Sequence, residues 1–123
     1  MVAGVLAPVL AAAQSKPDRY YSAAYNACLK GAMSTLQMKG CIADEYDTWD
    51  KQLNQTYQAL MARRAAPEQA KLRDDERGWL KRTKHKCDHA GDDEEGGTLQ
   101  GVEIDQCNLD ETILRTVYLR GLR

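Results

Sequence analysis

Three side chains of types that can bind metals stand close together near residue 87, in the order His85-x-Cys87-x-His89. Imidazole nitrogens and cysteine thiolates are preferred zinc ligands, but zinc sites usually space them differently. A cysteine that is held in a disulfide also has no thiolate to offer a metal. The spacing is therefore weak evidence for a metal site, and neither a metal nor another cofactor is expected.

The stretch from Cys87 to Cys107 is the most acidic part of the chain, with seven carboxylates and no lysine or arginine. The carboxylates belong to Asp88, Asp92, Asp93, Glu94, Glu95, Glu103 and Asp105. Glycines at positions 91, 96, 97 and 101 interrupt any regular pattern, which predicts a loop. Such a loop would speed association with a cationic protein. A solvated connector that only balances the basic residues 81–86 would have the same composition.

No pattern typical of a catalytic site is evident in the sequence. No serine, cysteine or lysine has an obvious basic partner that would activate it as a nucleophile. Four carboxylates fall at helical spacing near Lys51 and are expected to form a solvated face; they are those of Asp44, Glu45, Asp47 and Asp50. The chain is therefore not expected to be an enzyme.

The chain has 17 basic and 18 acidic residues, so its charges nearly cancel. A general electrostatic attraction to nucleic acid or to an anionic membrane is therefore not expected.

Cysteine content and an apolar leader both indicate export. Four cysteines are an even number, which is consistent with two disulfides in an oxidising compartment. Residues 2–13, VAGVLAPVLAAA, form an apolar run too short to span a bilayer but suited to a signal peptide with an Ala-x-Ala cleavage site. A disordered alanine-rich leader is the alternative interpretation. We predict a signal-peptide remnant at 1–13, a flexible segment at 14–24 and a domain at 25–123, located in the periplasm or secreted.

Apolar spacing predicts long amphipathic helices. A stripe at spacings of three and four residues runs through Met38, Ile42, Tyr46, Trp49, Leu53, Tyr57 and Leu60. It predicts a helix over about 35–65, with Ser34 and Gln37 as a capping box and Pro67 in the first turn of the next helix. That next helix, over about 67–87, presents Leu72, Trp79, Leu80 and Thr83. The last, over about 103–121, presents Cys107, Leu114, Val117, Tyr118 and Leu122.

These elements predict an all-α antiparallel bundle of three main helices, with a short N-terminal helix near residues 20–29. Trp49 and Trp79 are expected in the core rather than stacking on carbohydrate. Asn54 and Arg115 are expected to be buried polar anchors between helices.

Antiparallel topology brings the cysteines to one end of the bundle. The start of the first long helix, the end of the second and the start of the third all lie there. Three disulfide connectivities remain possible. The pairs Cys28 with Cys41 and Cys87 with Cys107 are favoured because each closes a local loop beside a helix end.

A series of short motifs extends along roughly residues 25–120. They are Cys28, Ser34-x-x-Gln37-Met38-x-x-Cys41, Asp50-x-x-Leu53-Asn54-x-x-Tyr57-x-x-Leu60, Leu72, Arg77-Gly78-Trp79, Cys87, Gly96-Gly97-Thr98 and Cys107-x-x-x-x-Thr112-x-x-Arg115-x-x-x-Leu119. In this order they resemble the family of exported bacterial proteins named after the lysozyme inhibitor LprI. The chain departs from the family between Trp79 and Cys87, where the family often has an aromatic residue followed by Arg and Asp and this chain has a basic run.

The resemblance implies a helical domain that binds a protein, with a lysozyme or another peptidoglycan hydrolase as the partner. Inhibition would work by occlusion of the hydrolase cleft. A periplasmic scaffold or adaptor of the cell envelope, with no inhibitory activity, is the alternative. The candidate partner-binding residues lie in the acidic stretch and are His89, Asp92, Asp93, Glu94, Glu95 and Thr98.

Overall fold

The computed structural model describes residues 16–94 and 96–123, and all described regular structure is helical. A 3-10 turn at Pro17–Tyr20 precedes helix α1, Ala23–Gly31. Helices α2, Thr35–Ala62, and α3, Ala66–Asp88, form a hairpin. A second 3-10 turn at Asp92–Glu94 leads to α4, Leu99–Arg120. The predicted all-α fold with a short N-terminal helix is confirmed. The predicted signal-peptide remnant lies outside the described residues.

The helix starts follow from side-chain capping. Ser34 Oγ accepts a hydrogen bond from the Gln37 N–H at 3.1 Å, and Gln37 Oε1 accepts one from the Met33 N–H at 2.6 Å. The first bond satisfies an amide that the first turn of α2 would otherwise leave unpaired. The second reaches the residue before the N-cap, Met33, instead of the Ser34 N–H that the predicted capping box would use. Ser22 caps α1 in the same way, and Pro67 lies in the first turn of α3. The predicted cap and the predicted proline position are confirmed.

Helix α4 is the central element of the bundle. It runs parallel to α2, its most extensive neighbour, as the Lys39–Asp105 ion pair at one end and the Arg120–Gln52 hydrogen bond further along show. It runs antiparallel to α3. Among the described elements, α3 packs closely only on α4. Its contact with α2 is concentrated near the turn that joins them, where Gln69 donates to the Met61 carbonyl at 2.8 Å.

Two apolar clusters fill the bundle. The first joins α1, α2 and α4 through Tyr25, Cys41, Ile42, Trp49, Leu109 and Ile113. The second lies toward the α2–α3 turn and contains Leu53, Leu60, Leu72 and Leu119, with Trp79 packed against it. The predicted stripe on α2 and the core location of Trp49 are therefore confirmed, whereas Trp79 is partly buried at the edge of the second cluster.

The apolar face predicted for α4 is wrong. The face that is buried in the structure is rotated about the helix axis relative to the predicted one. The most deeply buried residues are Leu109, Ile113, Thr116 and Leu119, whereas Tyr118 is 52% exposed. The reason is that α4 packs against α2 on one side and α3 on the other, so its buried face lies between these two contacts. On α3, Leu80 is likewise 54% exposed instead of packed.

Two of the predicted polar roles are also corrected. Glu45 is buried rather than solvated, and its carboxylate accepts hydrogen bonds from the Ser22 N–H at 2.8 Å and the Ser22 hydroxyl at 2.7 Å. Asn54 is exposed, and among the described residues its side chain bonds only to Asp50, one turn away, so it does not link two helices there. Arg115 is buried between helices, as predicted.

Both favoured disulfides are present. Cys28 pairs with Cys41 at a Cα–Cα distance of 5.7 Å, and Cys87 pairs with Cys107 at 5.4 Å. In the described part of the chain, no helix is both long and apolar enough to cross a bilayer.

Candidate protein-binding surface

The acidic loop, residues 88–98, connects the end of α3 to the start of α4 at the cysteine-bearing end of the bundle. The Cys87–Cys107 disulfide joins the helices on either side of it. His89 directly follows α3 as its C-cap residue, and Thr98 directly precedes α4. Asp92, Asp93 and Glu94 are thus held between two fixed helix ends.

Tight backbone contacts shape the loop. Gly91 is buried, and a Cβ at this position would lie 2.7 Å from the carbonyl oxygen of Gln100. Gly96 adopts a φ of +80°, a left-handed conformation that glycine reaches without steric cost. Its N–H donates to Gln100 Oε1 at 3.3 Å. The loop therefore folds back onto the first turn of α4.

The predicted binding residues differ in how they are engaged. His89 and Asp92 are exposed and lie against each other, with Nδ1 3.1 Å from Oδ2. Asp93 and Thr98 are also exposed, and Thr98 makes no side-chain capping bond to α4. Glu94 belongs to the second 3-10 turn. Glu95 lies outside the described residues, so its role stays a prediction.

The histidine pair shows how the possible metal ligands are arranged. The rings of His85 and His89 meet edge to face with centroids 4.9 Å apart. Cys87, which lies between them in the sequence, is held in its disulfide. Within residues 16–94 and 96–123, no group of three potential ligands is placed to hold a metal ion.

A second concave surface lies between α2 and α3, above α4. A cavity of about 300 Å³ is lined by Asp50 and Asn54 on α2 and by Arg73 and Arg77 on α3. It meets a cavity of about 410 Å³ at Tyr46, which lines both. The larger cavity lies between α2 and α4, where Asp105 and Asn108 line it. The smaller one forms a groove between α2 and α3, which exists because α3 packs closely on α4 and not along α2.

Comparison with known protein families identifies the chain. The profile of the family described as "Lysozyme inhibitor LprI" matches residues 26–119, which is most of the chain. The chain belongs to the LprI lysozyme inhibitor family. Comparisons with curated proteins and with solved structures give no match.

A half-buried polar network fixes the segment that leads into this LprI-family domain. Tyr21 donates to Asp110 Oδ1 at 2.6 Å, and Gln106 donates to the same oxygen at 3.0 Å. Tyr25 in turn donates to Gln106 Oε1 at 2.7 Å. Burial raises the pKa of the Asp110 carboxyl above its usual value, although these hydrogen bonds oppose the shift. The network ties residues of the predicted flexible segment to α4, while the domain boundary at residue 25 stays a prediction.

Sequence reasoning missed the groove residues of the LprI-family domain. Neither Arg73 nor Arg77 is among the predicted binding residues, and Arg77 is named only as part of the motif Arg77-Gly78-Trp79. Their spacing of four residues, followed by Leu80 three residues later, is the signal of a shared helix face. What it could not reveal is that α2 leaves this face uncovered.

Proposed function

We propose that this domain acts outside the cytoplasm as a protein-binding inhibitor of a lysozyme or a related peptidoglycan hydrolase. The observation that carries the proposal is the match of residues 26–119 to a family described as lysozyme inhibitors. Two disulfides are typical of proteins in oxidising compartments, where such hydrolases act. We propose no catalytic activity for the domain itself.

The mechanism that we propose is occlusion of the glycan cleft by the cysteine-bearing end of the bundle. The acidic loop supplies a concentration of negative charge that would steer a cationic hydrolase toward this end. The disulfide and the packing of Gly91 on Gln100 restrict the loop before binding, which lowers the entropic cost of ordering it. The proposed contact residues in the loop are His89, Asp92, Asp93, Glu94, Glu95 and Thr98.

A clearing assay tests the inhibition directly. Purified protein is added in increasing molar ratio to a cationic lysozyme acting on a suspension of cell walls, and the loss of turbidity is followed. We expect clearing to slow until an equimolar complex is reached. Undiminished clearing at large molar excess would reject inhibition of that lysozyme.

The adaptor alternative is separated from inhibition by a pull-down. Tagged protein is incubated with periplasmic extract, and the captured proteins are identified by mass spectrometry. Recovery of a peptidoglycan hydrolase supports the inhibitor. Recovery of an envelope assembly protein in place of a hydrolase would support the scaffold.

A further inference from the structure

Two arginines on α3 have guanidinium groups without a partner in the described part of the chain. Arg73 and Arg77 are exposed, lie one helical turn apart and line the groove between α2 and α3. Neither makes an ion pair or hydrogen bond to another described residue. Asp50 lines the same groove but does not reach either guanidinium. These two side chains therefore contribute little to the fold and are available to a ligand.

The arginines belong to a face of α3 that leads to the acidic loop. Arg73, Arg77, Leu80 and Lys84 recur at spacings of four, three and four residues, so they share one side of the helix. Leu80, which is 54% exposed, adds an apolar contact on that side. At 1.5 Å per residue, Arg77 lies roughly 17 Å along the helix from Asp88, where the loop begins. An interface of standard size is roughly 30 Å across and would include both.

A protein that blocks a glycan-cleaving site must accommodate two catalytic carboxylates, which lie about 5 to 9.5 Å apart in such enzymes. Residues four apart on a helix have Cβ atoms about 5 to 6 Å apart, and arginine is a bidentate donor to carboxylates. The separation and chemistry of Arg73 and Arg77 therefore match what such a site requires.

We propose that Arg73 and Arg77 donate hydrogen bonds to the two catalytic carboxylates of the hydrolase, with Leu80 in apolar contact beside them. This inference rests on the proposed inhibition and changes its docking geometry: the side of α3 covers the catalytic carboxylates, and the cysteine-bearing end lies beside them. The acidic loop is unsuited to this task. Its carboxylates repel those of the partner, His89 Nδ1 is already against Asp92, and the Gly96 N–H is directed to Gln100. The loop accelerates the encounter, and the arginines hold the complex.

The dissociation rate separates direct binding of the catalytic carboxylates from a general effect of positive charge on the inhibitor. Removing positive charge from the inhibitor should speed its association with a cationic lysozyme. If the arginines bind the catalytic carboxylates, their removal nevertheless weakens the complex, because dissociation becomes faster. Faster dissociation, with association unchanged or faster, therefore distinguishes arginines that hold the complex from a repulsive surface charge.

The test is a double-mutant cycle measured by biolayer interferometry. The natural protein and Arg73→Gln/Arg77→Gln are each titrated against a cationic lysozyme and against its variant with both catalytic carboxylates replaced by amides. Lys51→Gln/Arg123→Gln removes the same charge from two exposed residues that also lack partners in the described chain, and is the control. We expect the arginine variant to bind the active lysozyme at least about tenfold more weakly, through faster dissociation, and the control to be unchanged or faster in association.

The result depends on whether the effect of removing the arginines differs between active and amide-substituted lysozyme. The inference is supported if the natural protein discriminates active from amide-substituted lysozyme and the arginine variant does not. Equal affinity of the arginine variant and the natural protein, or equal losses in the arginine variant and the control, overturns the inference and leaves the proposed inhibition standing. Tight binding that depends on the arginines but does not slow clearing overturns both the inhibition and the carboxylate contact, because arginines bound to the catalytic carboxylates would block cleavage. Absence of any binding by the natural protein overturns both.

Discussion

At the scale of single residues, buried polar groups fix how the segments meet. Arg115 illustrates this, because its side chain is only 5% exposed yet carries a full charge. Its Nε and Nη2 atoms each lie 2.8 Å from a carboxylate oxygen, of Glu76 and Asp75 respectively. The guanidinium also lies over the rings of Trp79 and Tyr118. One side chain therefore joins α4 to two turns of α3.

Replacing Arg115 by methionine should destabilise the protein by about 3 kcal/mol, since Glu76 would stay largely buried without its partner. The free energy of unfolding from urea titration measures the effect. Arg73→Met is the matched control, because that guanidinium is exposed and unpaired in the described chain, and its cost should stay within about 0.5 kcal/mol. Equal costs for the two variants would show that the ion pairs of Arg115 contribute nothing.

The raised pKa of Asp110 predicts how the stability of the protein changes with pH. Its folded-state pKa lies above the unfolded-state value of about 3.9, so its contribution is fully present below that pH and is lost as the pH rises through the folded-state pKa. Asp110→Asn does not titrate, and its Oδ1 still accepts from Tyr21 and Gln106. The stability of the Asn variant relative to the natural protein should therefore increase between about pH 4 and pH 7.

Unfolding free energies at several pH values test this expectation. Asp110→Ala removes the acceptor and should cost about 1 to 2 kcal/mol at neutral pH. A constant difference between the Asn variant and the natural protein over this range would contradict the raised pKa.

At the scale of helices and loops, the local signals in the sequence were sufficient where a helix has one buried side. Helix α2 is such a case, and its stripe, its cap at Ser34 and its end before Pro67 all follow from spacing and capping chemistry. Helix α4 has neighbours on two sides, so its own periodicity does not define the buried face. Glu45 was misjudged because its partner, Ser22, lies on another segment that no helical pattern reveals.

The two disulfides provide a comparison of loop closure. Removing Cys87–Cys107 with serines should cost about 3 kcal/mol by the chain-entropy account. Removing Cys28–Cys41 should cost a few tenths of a kcal/mol less, because the sequence separation is 13 instead of 20. Denaturant titration measures both costs. Amide hydrogen exchange in residues 88–98 should accelerate only in the first variant, and unchanged exchange there would assign the loop's order to its contacts with Gln100 instead.

At the scale of the whole molecule, charge is separated between regions. Residues 87–107 carry −7, so the other residues sum to +6 in a chain whose net charge is −1. Part of this separation is neutralised locally, since Lys84 pairs with Asp88 and Lys86 pairs with Glu111. Asp92 and Asp93 remain exposed at the cysteine-bearing end. A cationic partner is therefore expected to meet this end first.

Neutralising the loop tests this orientation. Replacing Asp92, Asp93, Glu94 and Glu95 by their amides should slow association with a cationic lysozyme and flatten the dependence of the association rate on salt, because steering acts over roughly a Debye length of 10 Å at 0.1 M salt. The dissociation rate should change little, since the contacts that we propose to hold the complex are those of Arg73 and Arg77. Glu68→Gln/Asp74→Asn, at exposed positions near the start of α3, is the control and should slow association less for each charge removed. Stopped-flow association rates at several ionic strengths measure both variants, and an unchanged rate in the loop variant would reject steering by the loop.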